Sequence, residues 1–263
     1  MTELIHGQPT FPRLFTFRSD SDETLERRWP NLPRFTLGWQ LGVLFLLCLV
    51  PRAWMAYLTQ TICHDGFYYI STASAFEHGD WARAFAYLNL NIYPLILLGL
   101  HSLGLEWILA GKLWSVLISS LAVLPLFGWI RRLFSDQVAW ASCFLYSLHA
   151  EFVERSFEPT RDPTFWFLFN LCLYTTLRAV SEAKPRWFLA NGLVLTLAIH
   201  TRSEGWLLLI PLGLWLAREW FVKAECRKRL LAGTVVCLSV LPCVILLVNL
   251  TILREEPEWH LGR

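Results

Sequence analysis

Long apolar blocks and short polar clusters alternate along this chain, and the lengths of the blocks predict what each can do. Thr36 to Leu58 is the first block; about 22 residues at ~1.5 Å each give roughly 33 Å, enough for a ~30 Å hydrocarbon core. Pro51 and Arg52 interrupt its far end. The polar stretch Thr59 to Asn91 carries Asp65, Glu77, His78, Asp80 and Arg83 among aromatics, a pattern suited to amphipathic helices at an interface. Ile92 to Leu103 is apolar but too short to span and reads as a shallow or re-entrant segment. Ile108 to Ile130 is a full crossing ending at Arg131-Arg132, and Val138 to His149 returns after the Ser135-Asp136 turn, making a helical hairpin. Pro163 to Val180 is the fourth crossing. Trp187 to Ile199 and Trp206 to Trp220 are shorter ones flanking Thr201-Arg202-Ser203-Glu204-Gly205, and Leu230 to Leu253 is the seventh.

Composition agrees with a chain that needs lipid to cover it. Of 263 residues, 55% are hydrophobic and only 17% charged, with a mean hydropathy of +0.42. The expected fold class is an all-α polytopic membrane protein of about seven transmembrane helices. Residues 1–36 form a polar cytoplasmic segment, 37–253 the transmembrane domain and 254–263 a short polar tail. The seven cysteines are scattered and fit neither metal-ligand spacing nor a disulfide framework. No nucleic-acid-binding signal is present, and the first apolar block reads as an uncleaved anchor rather than a signal peptide.

The placement of charge carries more information than the net value of +2. If Ile92 to Leu103 does not span, the basic clusters Arg27/Arg28/Arg34, Arg131/Arg132, Arg178/Lys184/Arg186 and Lys223/Arg227/Lys228/Arg229 all fall on one side, which is then the cytoplasm. The opposite face receives the Asp65 loop, the Glu151 to Asp162 loop and the Arg202-Glu204 turn.

Three polar elements on that face could carry chemistry. In Cys63-His64-Asp65-Gly66-Phe67-Tyr68-Tyr69, an acid at the mouth of an aromatic helix can accept a proton from an incoming hydroxyl, or simply cap the helix. The loop from Glu151 to Pro163 holds four acids and two arginines, among them Arg155, Glu158 and Arg161. There the plain structural reading makes Asp162 a helix cap with Pro163 at the first helical position. Arg202, in a turn between two short apolar segments, could grip a phosphate through its planar fork or merely neutralise Glu204.

The order of these motifs resembles the GT-C membrane glycosyltransferases of the protein mannosyltransferase-like family, including glycosyltransferase family 39 and the aminoarabinose transferases. The resemblance runs over roughly residues 37 to 220, through Asp65-Gly-Phe-Tyr-Tyr, Tyr93-Pro94-Leu95, Lys112-Leu113, Arg131-Arg132-Leu133-Phe134, Asp162-Pro163 and Thr201-Arg202-Ser203-Glu204-Gly205. It implies a GT-C-like bundle with amphipathic juxtamembrane helices in the first outer loop. The implied reaction moves a sugar from a polyprenyl-phosphate carrier to an acceptor at the non-cytoplasmic face, with inversion. Asp65 and Asp162 then map onto catalytic acids; Gly66 stands where many members have a second acid. Arg202, Lys112 and Arg155 become candidates for the phosphate, with Glu158, Glu204, Tyr68 and Tyr69 also lining the substrate site. The resemblance names no cofactor outright and leaves room for a divalent metal. It places the chain in a bacterial inner membrane, with the bilayer, a polyprenyl-phosphate-linked sugar and an unidentified acceptor as partners. Family members usually run longer, so a second chain supplying the remainder joins the list. The competing readings are a small transporter or flippase-like protein and a truncated, inactive homologue.

Overall fold

The computed structural model describes residues 36–86, 91–222 and 224–251. Arg27, Arg28, Arg34, Lys223 and the tail from residue 254 lie outside the described residues. Among the described residues the fold is helical and contains no strand. Its helices are α1 (Leu37–Leu58), α2 (His64–Glu77), α3 (Trp81–Ala86), α4 (Ile92–Ser102), α5 (Trp107–Leu121), α6 (Val123–Leu133), α7 (Asp136–Leu148), α8 (Ala150–Arg155), α9 (Asp162–Glu182), α10 (Pro185–Thr201), α11 (Leu209–Val222) and α12 (Arg227–Thr251). A 3₁₀ turn, Ser203–Leu208, leads into α11.

Four stretches are long and apolar enough to cross a membrane by themselves: Leu37–Leu58, Trp107–Leu133, Ser203–Val222 and Ala224–Val248. The other three expected crossings are less apolar or shorter, for a reason visible in the packing. Helix α9, 21 residues long, is flanked by α5, α6, α10 and α11, so its polar groups find partners inside the bundle instead of lipid. Asn191 Oδ1 of α10 accepts from Thr175 Oγ1 at 2.8 Å and Thr176 Oγ1 at 2.9 Å, and Trp129 Nε1 of α6 donates to Asn170 Oδ1 at 3.0 Å. Interhelical hydrogen bonds of this kind hold membrane helices together where burial against lipid gives little discrimination.

Pro51 and Arg52 do not interrupt α1, which runs on to Leu58. Arg52 is fully buried and donates to the carbonyls of Cys48 (2.9 Å), Ser147 (2.9 Å) and Tyr146 (3.1 Å). The last two are at the end of α7, where His149 adopts an extended conformation (ψ 123°) and breaks the helix, so the guanidinium satisfies carbonyls that the break sets free.

Helix α4 stays at one end of the bundle, as its length requires. At its start Asn91 Nδ2 donates to the Thr201 carbonyl at the end of α10 (3.2 Å), and near its finish the His101 ring stacks on Trp107 at the start of α5 (centroids 3.8 Å apart). It runs beside α2: Tyr69 meets Tyr93 edge-on at 5.2 Å, and further along both helices His101 lies 3.7 Å from Glu77. The opposite end carries the basic clusters, where Arg132 and Arg178 lie over the same Tyr174 ring, at 5.6 and 6.0 Å.

Candidate active site

The site grows from breaks in the helices. α2 begins at His64, with Cys63 as its N-cap residue in extended conformation and no side-chain cap hydrogen bond. Asp65 therefore does not cap the helix. It occupies the first turn, where the helix dipole favours a negative charge, and its exposed carboxylate makes no hydrogen bond or ion pair among the described residues. Asp162 does not cap α9 either: Arg161 holds that position, and Asp162 is the first helical residue with Pro163 behind it. Its carboxylate is taken by another element.

That element is the turn after α10. Arg202 is extended (φ −147°, ψ 142°), which stops the helix and swings the guanidinium across the bundle. Nε donates to Glu204 Oε2 at 3.2 Å and Nη2 to Glu204 Oε1 at 2.6 Å, while Nη1 pairs with Asp162 Oδ1, 40 residues away in sequence. The Phe165 ring lies 5.8 Å from the guanidinium carbon. Arg202 thus ties α9 to α10 and spends its planar fork on two carboxylates.

A second junction joins the loop carrying Pro159 to α2 and α5. Gly66 in α2 and Gly111 in α5 both face Pro159. A Cβ on Gly66 would come within 2.8 Å of the proline ring, and one on Gly111 would land on its Cβ. Only glycines allow this approach, and it pins the loop containing Glu158 and Arg161 beside the Asp65 turn. Trp114 Nε1, one turn along α5, donates to Thr164 Oγ1 of α9 at 2.8 Å. Burial pushes the Tyr69 phenol up to about 12, with the charges of Arg161, Asp65, Asp162 and Arg202 all felt at the ring. Burial likewise raises the Cys63 thiol, assisted by Glu158 and Asp65. These groups from α2, the second loop, α9 and the Arg202 turn share one neighbourhood.

The remaining expected residues are placed less centrally. Lys112 Nζ donates to the Thr59 carbonyl beyond α1, which anchors α5 to the first loop. Arg155 is exposed at the end of α8 and makes no ion pair among the described residues. Tyr68 is partly exposed, with its ring edge-on to His64 at 4.9 Å. Among the described residues no group of three His, Cys, Asp or Glu side chains could hold a metal ion. Sequence reasoning gave no role to Pro159, Gly111 or Asn91, and named Arg161 only as one charge of the second loop. Asn before an apolar run is a capping signal that could have flagged Asn91, whose side chain accepts from Tyr93 N at 2.9 Å.

No curated protein and no solved structure matches the chain. A family model, dolichyl-phosphate-mannose-protein mannosyltransferase, matches residues 92–246. That stretch includes Tyr93, Lys112, Asp162, Arg202 and Glu204, and Asp65 precedes it. A match over more than half of a 263-residue chain that is helical, and rich in helices fit to cross a membrane, identifies an integral membrane protein that belongs to the dolichyl-phosphate-mannose-protein mannosyltransferase family.

Proposed function

We propose that this chain is a membrane glycosyltransferase that moves a sugar from a polyprenyl-phosphate carrier to an acceptor hydroxyl on the non-cytoplasmic face, with inversion. The family supports glycosyl transfer, and its description supplies the donor class, a lipid-phosphate-linked sugar. The observation that carries the residue-level reading is the difference between the carboxylates of the site. Asp162 and Glu204 are both engaged by Arg202, whereas Asp65 is exposed and has no partner among the described residues. A general base needs an unspent carboxylate within reach of the acceptor. In this scheme Asp65 takes the acceptor's proton, the acceptor oxygen bonds to the anomeric carbon, and the carbon–oxygen bond to phosphate breaks, releasing the lipid phosphate as an anion. Asp162 takes part as the partner of Arg202, and the exposed Tyr68 offers aromatic surface to the sugar, while Tyr69 is buried against Tyr93.

The face follows from charge. Arg131, Arg132, Arg178 and Lys184 mark one end of the bundle, and the positive-inside tendency makes that end cytoplasmic, in a bacterial inner membrane. Cysteines placed near Asp65, Glu158 and Glu204 are expected to label from the non-cytoplasmic side, and those near Arg132 and Lys184 from the cytoplasm. Labelling of Arg132 and Glu158 positions from the same side would contradict the scheme. The reaction is tested with the purified chain in lipid and radiolabelled polyprenyl-phosphate sugars. Transfer predicts label leaving the carrier, while a transporter would leave the glycosyl-phosphate bond intact.

A further inference from the structure

The departing lipid phosphate is an anion at the edge of a low-dielectric region, so a cation with free donors must meet it. Arg202 has given its fork to Glu204 and Asp162. Lys112 is held by the Thr59 carbonyl, and Arg155 stands exposed at the tip of α8. Arg161 differs from all three. It is half-buried, and its side chain makes no hydrogen bond, ion pair or ring contact among the described residues.

Its backbone, by contrast, is fixed. The Arg161 carbonyl accepts from Phe165 N at 3.0 Å, which starts α9. Two residues earlier Pro159 is wedged against Gly66 and Gly111, and one residue later Asp162 is held by Arg202. Arg161 is therefore set between the Asp65 turn and the Arg202 turn. A half-buried guanidinium without a counter-ion loses hydration and gains no pairing in return. An anionic ligand would complete it, and its five donors match phosphate oxygens in pairs.

Resting on the glycosyltransferase reading above, we propose that Arg161 is the substrate-binding cation for the donor's lipid phosphate, and that Arg202 is a positioning residue that holds Asp162 and Glu204. The same wedge that brings the second loop to Asp65 then sets the distance between base and leaving group.

The test is equilibrium binding of a short-chain prenyl monophosphate and of the matching neutral prenyl alcohol to the full chain in lipid nanodiscs. Wild type is expected to prefer the phosphate. R161Q and R161L are expected to lose that preference by about tenfold or more, the size of a charge-assisted hydrogen-bond pair. Their alcohol binding and melting temperature should stay at or above the wild-type level, because an unpaired half-buried charge has been removed. R202K is expected to lower the melting temperature while keeping the phosphate preference. If R161Q or R161L folds and still prefers the phosphate as wild type does, the assignment of Arg161 is wrong and the donor reading stands. If wild type itself shows no preference for phosphate over alcohol, the donor reading fails and this assignment falls with it.

Discussion

At the basic end of the bundle the ion pairs are local. Arg131 reaches Asp136 at 2.9 Å, Arg178 pairs with Glu182 one turn on, and Lys184 Nζ lies 3.2 Å from the same Glu182. At the other end Arg202 reaches back 40 residues to Asp162, and Pro159 from the second loop seats against glycines of α2 and α5. Local pairs of the first kind form on any helix end with suitable spacing and contribute little each. Pairs of the second kind exist only if several helices pack in one arrangement, so they specify tertiary structure. Beside this second junction Asp65 and Arg161 have no side-chain partner among the described residues.

The largest effect that contrast predicts is chemical. Asp65→Asn keeps the size and first-turn compatibility of the side chain but removes its basicity, so turnover should fall by about 10²–10⁴-fold with the melting temperature unchanged. The check is release of labelled sugar from the carrier alongside a melting curve; full turnover in a folded variant would return Asp65 to a structural role.

Next comes the long-range pair. Arg202→Ala strands Asp162, which is partly buried, and releases the exposed Glu204 to solvent, at a cost of about 1–3 kcal/mol that falls mainly on Asp162. Chemical or thermal unfolding in detergent should show it, with Asp162→Asn in the Arg202→Ala background recovering part of the loss. No recovery would mean that the two residues are not coupled.

Overpacking the wedge should cost a similar or smaller amount. Gly111→Ala puts a methyl onto the Cβ of Pro159, which cannot rotate away, so about 1–3 kcal/mol is expected. The second loop should also move relative to Asp65, and turnover should drop more than stability alone accounts for. A Gly111→Ala protein with wild-type melting and turnover would show that the contact is loose.

The smallest effect belongs to the basic end. Arg178→Ala leaves Glu182 with Lys184 and with the indole N–H of Trp187, 3.0 Å away, so stability should change by less than about 1 kcal/mol and turnover should not change. A loss there equal to that of Arg202→Ala would erase the distinction between the two ends.

Hydropathy and punctuation in the sequence determined that the chain is a helical membrane protein and that it breaks near Arg131-Arg132, Ser135, Lys184 and Arg202. Those are properties of consecutive residues, set by helix length against bilayer thickness and by the cost of charge in hydrocarbon. The order of motifs also pointed to the family. Which groups are engaged was decided by tertiary structure alone. Nothing in the neighbours of Asp65 or Asp162 reveals that each lies inside the first turn of its helix rather than at the cap, or that the Asp162 carboxylate is taken by a distant partner. That pairing depends on where α10 delivers Arg202. Nor does the pattern around Gly66 or Gly111 announce a proline from a loop nearly fifty residues beyond Gly111. A close approach is a relation between surfaces that meet only once the helices have packed, and that Asp65 and Arg161 have no side-chain partner of their own among the described residues was decided by the packed structure alone.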